Sequence, residues 1–209
     1  MTRAKGPYRM GIAPRGLNPY VANPPTTDTM PALAIWTPED AMLGAILPLG
    51  LAVAAPGPAL VVDLDSDGPA YFGSESLAGL VADGPRRQDL SASRPGVAVL
   101  RNGGIRYRDA AEVVSHLIAG WPHVVLRLPT PPLEMAATTI RITPLLPAGF
   151  TAAADGPTVY QDAGWRVAAP GPGVVLPVPR RTTWASLADG RRPVVDGWLR
   201  ALRGVWAWA

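Results

Sequence analysis

Residues 41–62 carry no charged side chain, and this stretch limits the folds that are open to the chain. It is long enough for a membrane span, but Pro48 and the Pro56–Pro58 turn interrupt it. We therefore expect a buried helix that ends at about Ala55 and a buried strand that begins at Ala59. A strand that is buried on both faces needs helices on both sides, which favours an α/β sheet.

Three alternate aspartates, Asp63, Asp65 and Asp67, end this predicted strand before a Gly-Pro turn. Open α/β sheets bind ligands at the carboxyl ends of their strands, so these carboxylates are expected at the rim of a candidate site. Asp63 and Asp65 point to the same side of a strand, where they could hold a metal ion or orient a water molecule. The alternative is that the aspartates only end the strand and solvate the turn.

Strand and helix patterns alternate between residues 32 and 129, which predicts a single-domain α/β fold with a mostly parallel sheet flanked by helices. Residues 137–179 show extended pieces and no helical period, so the fold is expected to be reduced in its C-terminal half. The predicted strands are 32–36, 59–62, 96–100, 122–129, 138–146, 158–161, 165–168 and 174–178, and the predicted helices are 38–55, 74–83 and 108–121.

Both ends of the chain are basic. Residues 1–30 are rich in proline and glycine and have no hydrophobic period, which predicts a disordered basic arm ahead of a domain at 31–209. Residues 194–208 show one apolar stripe, which predicts a terminal amphipathic helix.

The chain contains no cysteine, which excludes disulfides, a thiol nucleophile and a cysteine zinc site. His116 and His123 are too few for a histidine-rich metal site and are expected to be ordinary boundary residues. Residues 1–15 lack the apolar run of a signal peptide, so a cytoplasmic protein is the expectation.

The order of these motifs resembles the ParA/MinD family of deviant P-loop ATPases, especially its divergent members in Tad pilus assembly and septum-site determination. In that family a glycine-rich phosphate loop opens the first helix, and a strand that ends in Asp-Leu-Asp follows at a spacing that Thr37 to Asp65 matches. The resemblance covers residues 32–193.

The chain departs from this family at the residues that hold the nucleotide. Its Thr37–Asp40 turn lacks the glycines, the lysine and the magnesium-binding hydroxyl of the phosphate loop, and its acids would repel phosphate. Lys5 is the only lysine of the chain. The family has a second strand that ends in an acid, and at the matching position this chain has Arg127.

With these departures, the resemblance implies a catalytically inactive pseudo-ATPase without a cofactor, which acts in protein interaction or positioning in pilus or secretion assembly or in cell division. The expected partner is a protein, either an ATPase of the family or a component of one of those systems, and homodimerisation is a further option. Arg127 is expected to pair with Asp63 or Asp65, because a buried guanidinium needs a partner. The vestigial site would comprise Asp63, Asp65, Arg127, Thr37 and Asp40.

Two alternatives stay open. One is an active nucleotide-binding ATPase, which would need a lysine from another chain or an unrecognised loop. The other is a peripheral membrane or nucleic-acid adaptor that uses its basic ends, although nucleic acid is not expected because no RNA or DNA motif is present. The terminal helix would then either lie at the inner face of the membrane or pack on the sheet and leave only Trp208 outside. Its candidate contact residues are Trp198, Arg200, Arg203, Trp206 and Trp208.

Overall fold

The computed structural model describes residues 31–85, 96–130, 135–147 and 156–209, so the predicted arm at 1–30 lies outside the described residues. The strands within these ranges are β1 (Ala32–Trp36), β2 (Ala59–Asp63), β3 (Val97–Leu100), β4 (His123–Arg127), β5 (Thr138–Leu145), β6 (Thr158–Asp162) and β7 (Val174–Leu176). The helices are α1 (Ala41–Ala54), α2 (Leu77–Asp83), α3 (Tyr107–Gly120), α4 (Arg181–Ala188), α5 (Gly197–Arg203) and a 3-10 helix (Gly204–Trp208).

The described strands form one seven-stranded sheet in the order β3-β2-β4-β1-β5-β6-β7, and every pair of neighbours is parallel. Helices cover both faces: α1, α4 and α5 pack on one face, and α2 and α3 pack on the other. The predicted α/β fold with a parallel sheet is therefore confirmed. The described part of the chain has no helix between β5 and β7, which agrees with the predicted reduction of the C-terminal half.

Alternate side chains of β1 enter different layers, as the pleat of a strand requires. Leu33 and Ile35 pack in the core beneath α1, whereas Ala32 and Ala34 pack in the core beneath α3. All four are at most 4% exposed. Burial on both faces explains why the central strands are continuous apolar runs and not alternating ones.

Helix α1 is uncharged because it lies between the sheet and α5. It continues past Pro48 and ends at Ala54, close to the predicted end. Among the described residues, no helix has both the length and the apolar character that a membrane crossing demands.

The start of α1 differs from the prediction. The sequence suggested Thr37 as the cap and Pro38 as the first helical residue, but Asp40 caps the helix by accepting a hydrogen bond from the Leu43 amide. Aspartate is a strong N-cap residue, and an N-cap side chain reaches the amides two or three residues ahead of it. Asp40 therefore reaches the Leu43 amide, whereas Thr37 does not. Helix α2 likewise begins later than predicted, after Ser76.

Four further predictions are wrong in the part of the chain that follows β6. The predicted helix over 194–208 begins only at Gly197, because Asp196 caps it, and its last turn is a 3-10 helix. Val194 is 85% exposed and does not belong to the apolar stripe. Trp208 packs partly buried against the core and does not lie outside it. The extended piece predicted at 165–168 is not a strand.

Gly50 provides a test of the packing between α1 and α5. A Cβ atom at Gly50 would lie 2.4 Å from the ring of Trp198, whereas one at Gly204 would meet nothing within 4 Å. We expect Gly50→Ala to lower the free energy of unfolding by about 1–3 kcal/mol, because the clash outweighs the gain in helix propensity. Gly204→Ala, the matched control, should be neutral or slightly stabilising in the same urea titration. A Gly50→Ala protein as stable as the wild type would show that the two helices separate easily.

Candidate functional site

The connections that follow β2 and β4 diverge, although these two strands are neighbours in the sheet. From β2 the chain runs outward to β3, the edge strand beside it, and from β4 it runs in the opposite direction, past β1, to β5. Such a divergence opens a crevice at the carboxyl ends of the strands, which is the usual ligand site of open α/β sheets. Asp63 ends β2 directly opposite Arg127, which ends β4.

Arg127 lies in the centre of this crevice with only 2% of its side chain exposed. Its Nη2 atom donates to Asp65 Oδ2 at 2.7 Å, and its Nη1 atom donates to the carbonyl oxygen of Pro69 at 2.6 Å. Asp63 lies farther away, with Oδ1 3.5 Å from Nη1. The ring of Tyr71 completes the enclosure, with its centroid 5.3 Å from the guanidinium carbon. The expected pairing of Arg127 with the aspartates is therefore confirmed.

The turn after β2 is shaped around the guanidinium. Asp65 Oδ1 accepts hydrogen bonds from the amides of Asp67 and Gly68, which folds the turn back over the crevice. A Cβ atom at Gly68 would lie 1.9 Å from Nη2 of Arg127, so no larger residue fits there without displacing the guanidinium. Asp67 is exposed and, among the described residues, accepts a hydrogen bond only from the neighbouring Ser66 hydroxyl, so the simpler interpretation of the aspartate cluster holds for this residue alone.

Burial raises the pKa of Asp63 to about 6, and the positive charge of Arg127 opposes this rise without cancelling it. The cause is that Asp63 is 1% exposed while its distance to the guanidinium is long. Burial also raises the pKa of Tyr71, whose neutral hydroxyl donates to the Ala45 carbonyl at 2.8 Å. Tyr71 thereby ties the turn to α1.

A depression of about 290 Å³ lies beside the cluster, between the turn after β2 and the turn after β3. Asn102, which was not predicted from the sequence, lines this depression on the side of the turn after β3. The Asn102 amide donates to the carbonyl oxygens of Asp63 and Ile105, and its own oxygen accepts from the Gly104 amide. An Asn-Gly-Gly sequence directly after a parallel strand is the signal that could have revealed it.

The N-terminus of α1 is closed by acids. The Asp40 carboxylate already occupies the position where a helix N-terminus would receive an anion. Glu39 forms an ion pair with Arg141 of β5, so its charge is held at the same edge of the sheet. Thr37 is half-buried, and its hydroxyl has no hydrogen-bond partner among the described residues.

The candidate membrane-contact residues of the C-terminus divide into two groups. Trp198 is 1% exposed, and its indole nitrogen donates to Gln161 Oε1 at 2.7 Å. Trp206 donates to the Leu51 carbonyl and contacts the ring of His123 edge-on. Arg200 and Arg203, in contrast, are exposed on α5. Trp198 and Trp206 therefore pack in the core, as in the second of the two predicted arrangements, but Trp208 also packs against the core and is not left outside as that arrangement predicted.

No group of three or more His, Asp or Glu side chains that could hold a metal ion occurs in the described ranges. His116 is exposed on α3, and Nδ1 of half-buried His123 contacts the Pro58 carbonyl, so each has a local structural partner. Comparison of the chain with protein families, with curated proteins and with solved structures finds no match in any of the three.

The buried cluster can be tested by removing its cation. We expect Arg127→Ala to destabilise the protein by about 3–5 kcal/mol, because it leaves two carboxylates in the crevice without a counter-charge. Arg101→Ala is the matched control, since Arg101 is exposed and donates only one long bond, of 3.4 Å, to Ser74. The control should change the free energy of unfolding by about 0.5 kcal/mol or less. Equal effects of the two substitutions in thermal unfolding would contradict the structural role of Arg127.

The raised pKa of Asp63 predicts a pH dependence of stability. Between pH 6 and 4 the Asp63 carboxyl holds a proton in the folded protein and releases it in the unfolded chain, where its pKa stays near 3.8. The wild type should therefore gain up to about 3 kcal/mol relative to Asp63→Asn as the pH falls from 7.5 to 4. Urea titrations of both proteins across this range measure the difference, and the comparison cancels the other carboxyls. A difference that is constant with pH would show that Asp63 titrates normally.

Proposed function

We propose that the protein is a catalytically inactive relative of the ParA/MinD ATPases that works by binding a protein partner. The observation that carries the proposal is the Arg127 cluster, because buried ion pairs occupy the centre of the crevice in which an enzyme of this architecture would hold its ligand. The setting in pilus or secretion assembly or in cell division rests on the resemblance alone.

The position of three segments supports the resemblance. The Thr37–Asp40 turn follows β1, Asp63 and Asp65 follow β2, and Arg127 ends β4, which lies between β1 and β2. All three segments therefore meet at one edge of the sheet. These are the segments that the resemblance aligns with the phosphate loop and the two acidic strand ends.

The charges at this edge support the loss of nucleotide chemistry. A phosphate at the N-terminus of α1 would lie beside the carboxylates of Asp40 and Glu39, and the nearby Arg141 is already paired with Glu39. Arg127 is also poorly placed to bind phosphate, because it is only 2% exposed and already donates to Asp65 and to the Pro69 carbonyl. Residues 31–209 contain no lysine that could replace either arginine.

Exposed apolar side chains at the same edge support a protein partner. Phe72 is 75% exposed, Trp165 is 63% exposed and Met42 is 53% exposed. They lie respectively after β2, after β6 and in the first turn of α1, so all belong to the carboxyl edge of the sheet. Exposed side chains of this size are candidate contacts for a protein partner.

Nucleotide binding is the direct test. We expect isothermal titration of the full chain with a non-hydrolysable ATP analogue and Mg²⁺ to give no binding heat. Thermal unfolding with the same analogue should show no shift, whereas a bound ligand at 100 times its Kd would add about 2.7 kcal/mol of stability. The second measurement guards against binding with zero enthalpy. A dissociation constant in the micromolar range or tighter would overturn the pseudo-ATPase proposal.

A further inference from the structure

A groove of about 370 Å³ lies at the carboxyl edge of the sheet, away from the Arg127 cluster. It lies between the first turn of α1, the ends of β5 and β6, and the segment from β7 to α4. Its size is that of a site for a small ligand or for a few residues of a peptide. The lining residues are Asp40, Leu43, Pro144, Gln161, Asp162, Ala163, Val178, Pro179, Arg181 and Trp184.

The polar groups of the groove call for a ligand that accepts one hydrogen bond and carries positive charge. The indole nitrogen of Trp184 is buried and has no hydrogen-bond partner among the described residues. Asp40 and Asp162 each use one carboxylate oxygen locally, for the amides of Leu43 and Gly164 respectively. Within the described ranges the second oxygen of each carboxylate accepts no hydrogen bond, and Arg181 is the only basic residue among the described lining residues.

The apolar lining suits proline. Trp184, Pro144 and Pro179 form rigid apolar walls, and an indole N–H that donates to a backbone carbonyl is how aromatic grooves bind proline-rich segments. Proline also restricts the free peptide, so less conformational entropy is lost when it binds. The groove therefore fits a proline-rich segment that contains arginine.

We propose that this groove binds residues 1–30 of the same chain. This segment contains five prolines, and its basic residues Arg3, Lys5, Arg9 and Arg15 stand against one acid, Asp28. Its charge is therefore complementary to Asp40 and Asp162.

The length of this segment permits the contact. The described chain begins at the amino edge of the sheet, immediately before β1, whereas the groove lies at the carboxyl edge. Crossing the sheet along a five-residue strand takes about 17 Å. An extended segment of 30 residues reaches on the order of 90 Å, so it can return to the groove with many residues to spare.

Spin labelling tests the proposal on the full chain. Because the chain has no cysteine, Asn18→Cys provides a single site for a nitroxide label. The readout is the intensity of the indole N–H signals of the seven tryptophans in the NMR spectrum. The signal of Trp184 is assigned as the one that is lost in Trp184→Phe. We expect the label to remove most of the Trp184 signal and to leave that of Trp206, which is bonded to Leu51 in the core beside β4, largely intact.

A matched pair of charge variants makes the test specific. Asp162→Asn keeps an oxygen for the Gly164 amide but removes the charge in the groove, so it should restore much of the Trp184 signal. Asp189→Asn removes an exposed charge outside the groove and should restore none. Equal broadening of all tryptophans, no broadening of Trp184, or indifference to Asp162→Asn would overturn the proposal. Broadening that appears only between labelled and unlabelled molecules would assign the groove to a second copy and would equally overturn docking within one chain.

Discussion

The guanidinium of Arg127 is the charge around which the carboxyl edge of the sheet is built. A cation with 2% exposure persists only if its donors are satisfied, and here two aspartates, one backbone carbonyl and one aromatic ring surround it. Each partner comes from the turn after β2 or from the end of that strand. The cluster therefore fixes the path of the turn. The Tyr71 hydroxyl, which donates to the Ala45 carbonyl, holds this turn against α1.

A second constraint is the close contact between α1 and the C-terminal segment. Gly50 lets the ring of Trp198 approach the helix backbone, and the indole nitrogens of Trp198 and Trp206 bond to Gln161 and Leu51. The last residues of the chain thus complete the core on one face of the sheet. Their arginines remain at the surface, which is why an amphipathic pattern in the sequence corresponds to a core helix.

Sequence patterns located most strands because burial on both faces makes them continuous apolar runs between turn residues. The helix starts were predicted less accurately. Thr37, Glu39 and Asp40 all suit the start of a helix, and only the folded turn selects Asp40 as the cap. The pairing of Arg127 with the aspartates was predictable from parallel register. The bond from Asn102 to the Asp63 carbonyl was not, because the Asn-Gly-Gly sequence marks a turn but does not encode the distance of that turn from the turn after β2.

Gly68 links two distant parts of the sequence. No side chain fits between its Cα atom and the guanidinium, so the turn after β2 and the end of β4 cannot change independently. A lineage that lost the arginine would free this position for other residues, whereas one that kept the arginine would be held to glycine. The two positions together thus form a signature by which distant relatives of this chain could be told apart from other proteins with a parallel α/β sheet.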